Sequence, residues 1–236
     1  MVCFANKRRR VFAAIVALLA ACLAAFPAEG LAKEKSSSPC KVIVLGYVGG
    51  LDTPGNPLSG VVRIRNRLRR LEDQDLCVET FSAYTWPEGY RWLMKRLRDA
   101  RDTQSVEGGS ELPKVILYGH SLGGWATLAV ARRLAAQKIP VELTVQIDSV
   151  GFTEATVPAN VKEAANFYRW AIVPPYGRNK IHAQDSGATR ILGNFELKRA
   201  NHYGIADTPA ISDLIVAKVQ ALYAASAADT SYATPE

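Results

Sequence analysis

The segment 113–124 reads PKVILYGHSLGG, and the rest of the chain is interpreted outward from it. Its first half is a short apolar run with β-branched residues, typical of a strand that is buried on both faces. Glycines surround Ser121, and an alanine-rich helix is predicted from Leu122 to about Gln137. The pattern Gly-x-Ser-x-Gly arises by chance, but between a strand and a helix it indicates a serine whose hydroxyl is exposed on a tight turn.

The glycines of this turn have a steric explanation. A serine on such a turn takes a strained backbone conformation, and side chains at Gly119 and Gly123 would crowd it. Gly124 would let the helix approach the strand. The helix start presents free N–H groups and a partial positive charge, so the Leu122 N–H is predicted to stabilise an oxyanion. The alternative is a glycine-rich turn whose serine is incidental.

Strands and helices alternate along the chain. Each predicted strand is a short apolar run, and the helices carry apolar residues on one face. This order predicts an α/β fold, a mostly parallel sheet with right-handed crossovers and helices on both faces. The interval 155–187 stays open between a helix, an irregular strand and a partial cover over the site. The predicted strands are Val42–Gly46, Cys77–Tyr84, Pro113–Tyr118, Val141–Ile147 and Thr189–Leu197, and the last helix begins at Thr208-Pro209.

A serine hydroxyl needs a base that takes its proton, and the chain has three histidines. His202 lies between the last predicted strand and the C-terminal helix, at the carboxyl edge of the sheet, and is predicted to be the base. His120 adjoins the serine, so its side chain should point away. His182 is interpreted as a surface or loop histidine.

The base in turn needs a carboxylate that fixes its tautomer and stabilises the imidazolium. Asp148 ends the strand after the serine helix, so we predict that it projects from the same sheet edge as Ser121. The order Ser, Asp, His also fits this kind of strand-to-helix serine. Asp185 is the alternative, because it is closer in sequence to His202 and a carboxylate after a later strand would serve equally well.

A second oxyanion donor is expected in the loop after the first strand, where the sequence reads LGYVGG. The N–H of Tyr47 is the predicted donor, and its side chain alternatively packs beside a bound ligand. Gly49 and Gly50 either leave room for a bound group or are turn glycines.

Residues 1–32 have the layout of a secretory signal peptide. The basic stretch Lys7–Arg10 precedes the apolar run Val11–Phe26, and cleavage is expected after Ala32 or at an earlier alanine. The mature protein would then be one domain, 33–236, in the periplasm or secreted.

Two alternatives keep this segment on the protein. An uncleaved run would be a membrane anchor, although its 16 residues fall short of the roughly 20 that span a bilayer. The tetrapeptide that ends at Cys22 resembles a bacterial lipoprotein box, but the apolar run continues beyond it.

Cleavage removes four basic residues and one acidic residue and lowers the formal charge from +7 to +4, so the basicity implies no nucleic-acid partner.

Cleavage would also leave two of the four cysteines, Cys40 and Cys77. An even pair in an exported chain suggests one disulfide, and both residues start strands that could be neighbours in a parallel sheet. Two buried free thiols are the alternative.

The predicted helix after the first strand carries arginines on one side, Arg63, Arg67 and Arg70. We interpret them as a solvated face of an amphipathic helix. The alternative is a patch for anionic lipid, which would give the protein a peripheral membrane contact, or for an acidic ligand.

Together, GHSLGG, IDSVG and the late His202 resemble the α/β-hydrolase superfamily, in particular its lipase-like and esterase-like serine hydrolases, over most of residues 40–224. The stretches VKEAANFY, at Val161–Tyr168, and ILGN, at Ile191–Asn194, also resemble small bacterial members of the group.

This resemblance implies a monomeric hydrolase that cleaves small-molecule or lipid carboxylic esters in two steps and needs no metal or cofactor. Ser121 would form an acyl-enzyme, with His202 and Asp148 as base and acid and the amides of Leu122 and Tyr47 around the oxyanion. Thioester cleavage and acyl transfer to another acceptor would use the same site. From another class, a non-catalytic envelope binding protein with this fold remains an alternative.

Overall fold

The computed structural model describes residues 40–71, 75–107, 111–170 and 177–231. The predicted signal peptide, its cleavage site and Cys22 lie outside these residues. Within them, no helix is long and apolar enough to cross a bilayer. The strands and helices are β1 (Val42–Val48), α1 (Gly60–Arg69), β2 (Leu76–Ser82), α2 (Trp86–Glu107), β3 (Lys114–His120), α3 (Leu122–Ala135), β4 (Leu143–Ile147), β5 (Thr156–Val157), β6 (Glu163–Tyr168), β7 (His182–Ala183), β8 (Arg190–Glu196) and α4 (Pro209–Ser231).

Six parallel strands form the central sheet in the order β2-β1-β3-β4-β6-β8. Alternate residues of β1 enter two different cores, since Val44 packs with α1 and α4 whereas Leu45 packs with α2 and α3. Helices therefore cover both faces of the sheet, which is why β1 is apolar along its whole length rather than alternating. The predicted fold class, α/β with a mostly parallel sheet and helices on both faces, is confirmed.

The interval 155–187, which stayed open in the sequence, contains a full strand of the central sheet. This strand, β6, reads EAANFY and pairs with β4 and β8. Alanine, asparagine and glutamate are uncommon in strands, so its composition conceals it. The short strands β5 and β7 pair separately as a two-stranded sheet.

The first strand is longer than predicted, because it ends at Val48 rather than near Gly46. The Val48 carbonyl still accepts a hydrogen bond from the Ala83 N–H at 3.2 Å, so the ladder with β2 reaches the end of the strand. Gly49 is therefore the first residue of the following loop.

Cys40 and Cys77 form a disulfide, with Cα atoms 5.7 Å apart. The two strands are neighbours in the sheet, with Ile43 of β1 opposite Cys77 of β2, and Cys40 precedes β1. Both cysteines lie at the amino ends of their strands, so the bond joins β1 and β2 at one edge of the sheet.

The arginines of α1 are partly tied to the C-terminal part of the chain. Arg63 forms an ion pair with Asp207 at 2.8 Å, and Arg67 forms one with Asp213 at 2.6 Å. Two of the three predicted surface cations are therefore partnered by carboxylates, which weakens the interpretation of this face as a patch for anions.

Candidate active site

Ser121 lies between β3 and α3, and its backbone angles are φ 55° and ψ −125°. Residues other than glycine rarely adopt this backbone conformation. Its N–H donates to the Ile147 carbonyl at 2.9 Å. A Cβ atom on Gly119 would collide with the Gly123 carbonyl, and one on Gly123 with the Tyr47 carbonyl. The turn thus needs both glycines, for the steric reason that the sequence predicts.

His202 is brought to Ser121 by a turn between β8 and α4. Its Nε2 atom lies 3.0 Å from the Ser121 Oγ, and its side chain is nearly buried. The Asn201 Oδ1 accepts a hydrogen bond from the Gly204 N–H at 2.7 Å, which fixes this turn. The predicted base and the predicted nucleophile are therefore in hydrogen-bond contact.

Asp148 follows β4 and is fully buried. Its Oδ2 lies 2.6 Å from the His202 Nδ1, and its Oδ1 accepts the Gly177 N–H at 2.9 Å. Burial alone would raise the pKa of the Asp148 carboxyl, but hydrogen bonds from His202, Arg169 and Gly177 outweigh it and hold the pKa below the ordinary value. The carboxyl is therefore ionised at neutral pH and orients the imidazole with Nε2 toward the serine.

The alternative carboxylate and the third histidine lie elsewhere. The Asp185 Oδ1 accepts the Gly187 N–H at 2.8 Å, within its own exposed turn. His182 is exposed in β7, with its Nε2 3.0 Å from the Thr156 Oγ1. Among the described residues, the choice between Asp148 and Asp185 as partner of His202 thus falls on Asp148.

Arg169 is a contact of the site that the sequence analysis missed. It directly follows β6, and its Nε donates to the Asp148 Oδ2 at 3.1 Å while its N–H donates to the Oδ1 at 3.2 Å. Its side chain is only 16% exposed, so its charge is little screened by solvent. The available signal in the sequence is an arginine at the end of a strand, and the unusual composition of β6 conceals that strand.

His120 lies against His202 rather than against solvent. Its Nε2 is 2.6 Å from the main-chain carbonyl oxygen of His202, and the two rings are 4.8 Å apart. Burial and, to a smaller extent, the neighbouring His202 lower the pKa of His120 to about 4. A neutral ring with Nε2–H as donor fits this contact, so His120 supports His202 from behind and does not reach the serine as a base.

The two amide groups that the sequence predicts as oxyanion donors lie in different elements. Leu122 begins α3, so its N–H is among the first four of the helix, which have no partner within it. Tyr47 lies inside β1, paired with Phe81 on one side and Gly119 on the other. Pairing within the sheet competes for the amides of a central strand, and the role of Tyr47 as oxyanion donor stays a prediction.

Gly49 is a second main-chain group close to the serine. A Cβ built on Gly49 would lie 3.2 Å from the Ser121 Cβ, so its backbone passes directly beside the serine. The Tyr47 side chain also stays away from the site, because it is buried and its hydroxyl donates to the Trp86 carbonyl at 3.1 Å.

A cavity of about 540 Å³ opens over Ser121. Its wall combines the loop after β1, the turn that carries His202 and the residues next to the serine. The volume lies within the range of small-molecule sites. The lining residues are Gly49, Gly50, Leu51, Asp52, Asn56, Leu58, Ser59, Gly60, Tyr84, His120, Ser121, Leu122, Val150, His202 and Tyr203.

Solved structures whose backbone resembles that of this chain include several hydrolases. A protein assigned as a hydrolase of the alpha/beta superfamily from Xanthomonas campestris is 15% identical, with a TM-score of 0.42 over 76% of this chain and 99% of the other. A dienelactone hydrolase from Anabaena variabilis is 16% identical, with a TM-score of 0.39 over 75% and 85%. A thioesterase of the prodiginine pathway from Streptomyces coelicolor is 11% identical, with a TM-score of 0.40 over 83% and 96%. No family model and no curated protein matches the chain.

These similarities are weak, so the fold is assigned from the chain's own topology. A parallel sheet carries a strained serine between β3 and α3, an aspartate after β4 and a histidine after β8. That order of Ser, Asp and His around a glycine-flanked strand-to-helix turn is characteristic of one architecture. The chain therefore has the α/β-hydrolase fold.

Proposed function

We propose that this protein is a serine hydrolase that cleaves carboxylic esters. The observation that carries the proposal is the continuous contact from Ser121 Oγ through His202 to Asp148, with heavy-atom distances of 3.0 and 2.6 Å. This chain of groups opens into a cavity large enough for a small ester. A serine, a base and a buried carboxylate in this arrangement are the groups that acyl transfer needs.

In the first step, the Ser121 Oγ attacks the ester carbonyl while its proton passes to the His202 Nε2. Asp148 stays ionised and stabilises the imidazolium that forms. The imidazolium then gives the proton to the departing alkoxide, which leaves as the alcohol, and the acyl group stays on the serine. In the second step, water repeats the attack with His202 as base, and the acid is released.

The negative charge on the carbonyl oxygen needs donors that are already in place. The Leu122 N–H, at the start of α3, is the first donor in this proposal. We assign the second to the Gly49 N–H, since Gly49 passes beside Ser121 whereas Tyr47 lies within the sheet.

Export to an oxidising compartment, the periplasm or the exterior, is part of the same proposal. The N-terminal basic and apolar pattern supports it, and so does the Cys40–Cys77 disulfide, since such bonds are rare in reducing compartments. Sequencing the N-terminus of protein recovered outside the cytoplasm tests it, with a new terminus near residue 33 expected. Recovery only of intact chain in the cytoplasm would contradict it.

The activity is tested by labelling the purified mature protein with a fluorophosphonate. We expect Ser121 to be labelled and Ser121→Ala to be unlabelled. Ser59→Ala is the matched control, because Ser59 lines the same cavity while the His202 Nε2 faces Ser121. Labelling that survives in Ser121→Ala, or is absent from the unmodified protein, would contradict the proposal.

A series of p-nitrophenyl esters of increasing acyl length then tests turnover and chain-length preference. Turnover that is lost in His202→Ala separates an enzyme from a binding protein with this fold. Product analysis with an added alcohol separates hydrolysis from acyl transfer, since a transferase would form the new ester in preference to the acid.

A further inference from the structure

The cavity above Ser121 carries a negative charge. Asp52 is the only acidic residue among the described residues that line it, and none of them is a lysine or an arginine. The remaining wall consists of glycines, apolar and neutral polar side chains. A substrate in this cavity would therefore meet one carboxylate and no lysine or arginine.

The contacts of Asp52 hold its carboxylate in place without neutralising it. The Oδ1 atom accepts the Thr53 N–H at 2.8 Å and the Asn56 Nδ2 at 2.7 Å. Both donors are neutral, and both use the same oxygen. The carboxylate is thus fixed in the loop after β1 and keeps its full charge.

The nearby cations are committed to other groups. Arg65 reaches the same loop at the Pro54 carbonyl, 3.1 Å away, but its guanidinium lies 3.6 Å from the Glu79 carboxylate. Arg63 is paired with Asp207. In the described part of the chain, no lysine or arginine forms an ion pair with Asp52, so its charge acts on whatever fills the cavity.

Two exposed tyrosines line the same cavity as Asp52. Tyr84 and Tyr203 both line the cavity, and each is 68% exposed. Tyr203 lies beside the reacting groups, since its ring is 5.5 Å from that of His202. The faces of aromatic rings attract cations, most strongly quaternary ammonium groups, so these rings and the Asp52 carboxylate favour the same kind of ligand.

We propose that the site selects esters that carry a positive charge, such as an ammonium group, over neutral and anionic esters of the same shape. Asp52 is the residue that determines this selectivity, and Tyr84 and Tyr203 support it. The proposal rests on the ester hydrolase activity proposed above and names the class of substrate for that site.

Matched thioesters test this selectivity. Acetylthiocholine is compared with its uncharged isostere, 3,3-dimethylbutyl thioacetate, and with a carboxylate-bearing thioacetate of similar length. A single charge several ångströms away in a partly solvated cavity changes affinity by about fivefold to thirtyfold, so we expect kcat/KM to fall by that factor from the cation to the neutral ester and again to the anion. The ratio should shrink at high salt.

Asp52→Asn is the matched variant, because asparagine keeps the oxygen that accepts the Thr53 and Asn56 hydrogen bonds. We expect the ratio of cationic to neutral kcat/KM to fall in this variant to within about twofold of unity, the tyrosines alone contributing little at exposed positions. Asp99→Asn is the control, since Asp99 is an exposed carboxylate on α2 paired with Lys95, and it should keep the full ratio. A ratio near one in the unmodified protein, or an unchanged ratio in Asp52→Asn, would overturn the proposal.

A binding measurement separates this proposal from the activity on which it rests. Phenyltrimethylammonium and its uncharged isostere tert-butylbenzene are titrated into Ser121→Ala protein by NMR. Preference for the cation that is lost in Asp52→Asn supports the selectivity even if no ester is turned over, whereas equal binding of the two overturns it. Failure of fluorophosphonate labelling overturns only the hydrolase proposal.

Discussion

The His120 Nε2–H donates a hydrogen bond to the main-chain carbonyl oxygen of His202, with 2.6 Å between the heavy atoms. One histidine thus holds the backbone of the other, and it does so from the residue next to the serine. The ring of His202 in turn contacts Ser121 at 3.0 Å and Asp148 at 2.6 Å, so both its backbone and its ring are held in place. This relationship leads to two predictions about His120.

Removing this support should impair turnover more than binding. In His120→Ala the His202 backbone loses one hydrogen bond, so we expect kcat for a p-nitrophenyl ester to fall by about tenfold with little change in KM. His120→Gln keeps a donor N–H and should recover most of the loss. His182→Ala is the control, since His182 is exposed and contacts Thr156. Equal losses in His120→Ala and His120→Gln would contradict a positioning role.

His120 should also make the protein sensitive to mild acid. The unfolded chain binds a proton at this residue below about pH 6.5, whereas burial holds the pKa of the folded state at about 4. The folded state therefore loses stability as the pH falls from 6.5 toward 4, by about 2 to 3 kcal/mol at pH 4.5. Urea unfolding at pH 7 and pH 4.5 measures this loss, which should be smaller in His120→Gln. Identical losses in the two proteins would refute the assignment.

Arg169 should stabilise the ionised form of Asp148. Its guanidinium contacts the Asp148 Oδ2 at 3.1 Å, so Arg169→Met removes a cation from beside the carboxylate and the pKa of that carboxyl should rise. The same loss makes an imidazolium at His202 easier to form, so the acidic limb of the kcat/KM profile should move to higher pH. Arg190→Met, which removes a cation on β8 paired with Glu163, should leave the limb in place. A profile for Arg169→Met that overlays the original would show that Arg169 has no such effect.

The disulfide should contribute a large part of the stability. It closes a loop of 37 residues between Cys40 and Cys77, for which chain entropy gives about 4 kcal/mol. We expect the double variant Cys40→Ser, Cys77→Ser to lose roughly that free energy of unfolding in urea. Reductant should lower the original protein to the same value and leave the variant unaffected. A further loss in the variant on reduction would mean that the reductant acts elsewhere.

The serine turn could be predicted from sequence because its determinants are local. A strained residue needs glycines at fixed spacing, and GHSLGG shows them directly. Asp148 and His202 followed from topology, since residues that end parallel strands meet at one sheet edge. The fold class could be inferred for the same reason, from the alternation of strands and helices.

The remaining features depend on contacts between distant segments. β6 reads EAANFY, and only its burial between β4 and β8 makes it a strand. Arg169 could not be placed without that strand. Tyr47 lies within β1, because pairing with Phe81 and Gly119 extends the strand beyond the glycine at which the prediction ended it. The support of His202 by His120 joins residues 82 positions apart, which no local pattern reveals.

The disulfide and the reacting groups lie at opposite ends of one strand. Cys40 precedes β1, and Gly49, beside Ser121, follows it. Seven residues of strand span about 23 Å, so the redox state of the cysteines has no direct route to the acyl chemistry. Stability and reactivity can therefore be changed separately in this protein. A reduced chain kept cold would work as well as the oxidised one while it stays folded, and would differ from it mainly in its free energy of unfolding.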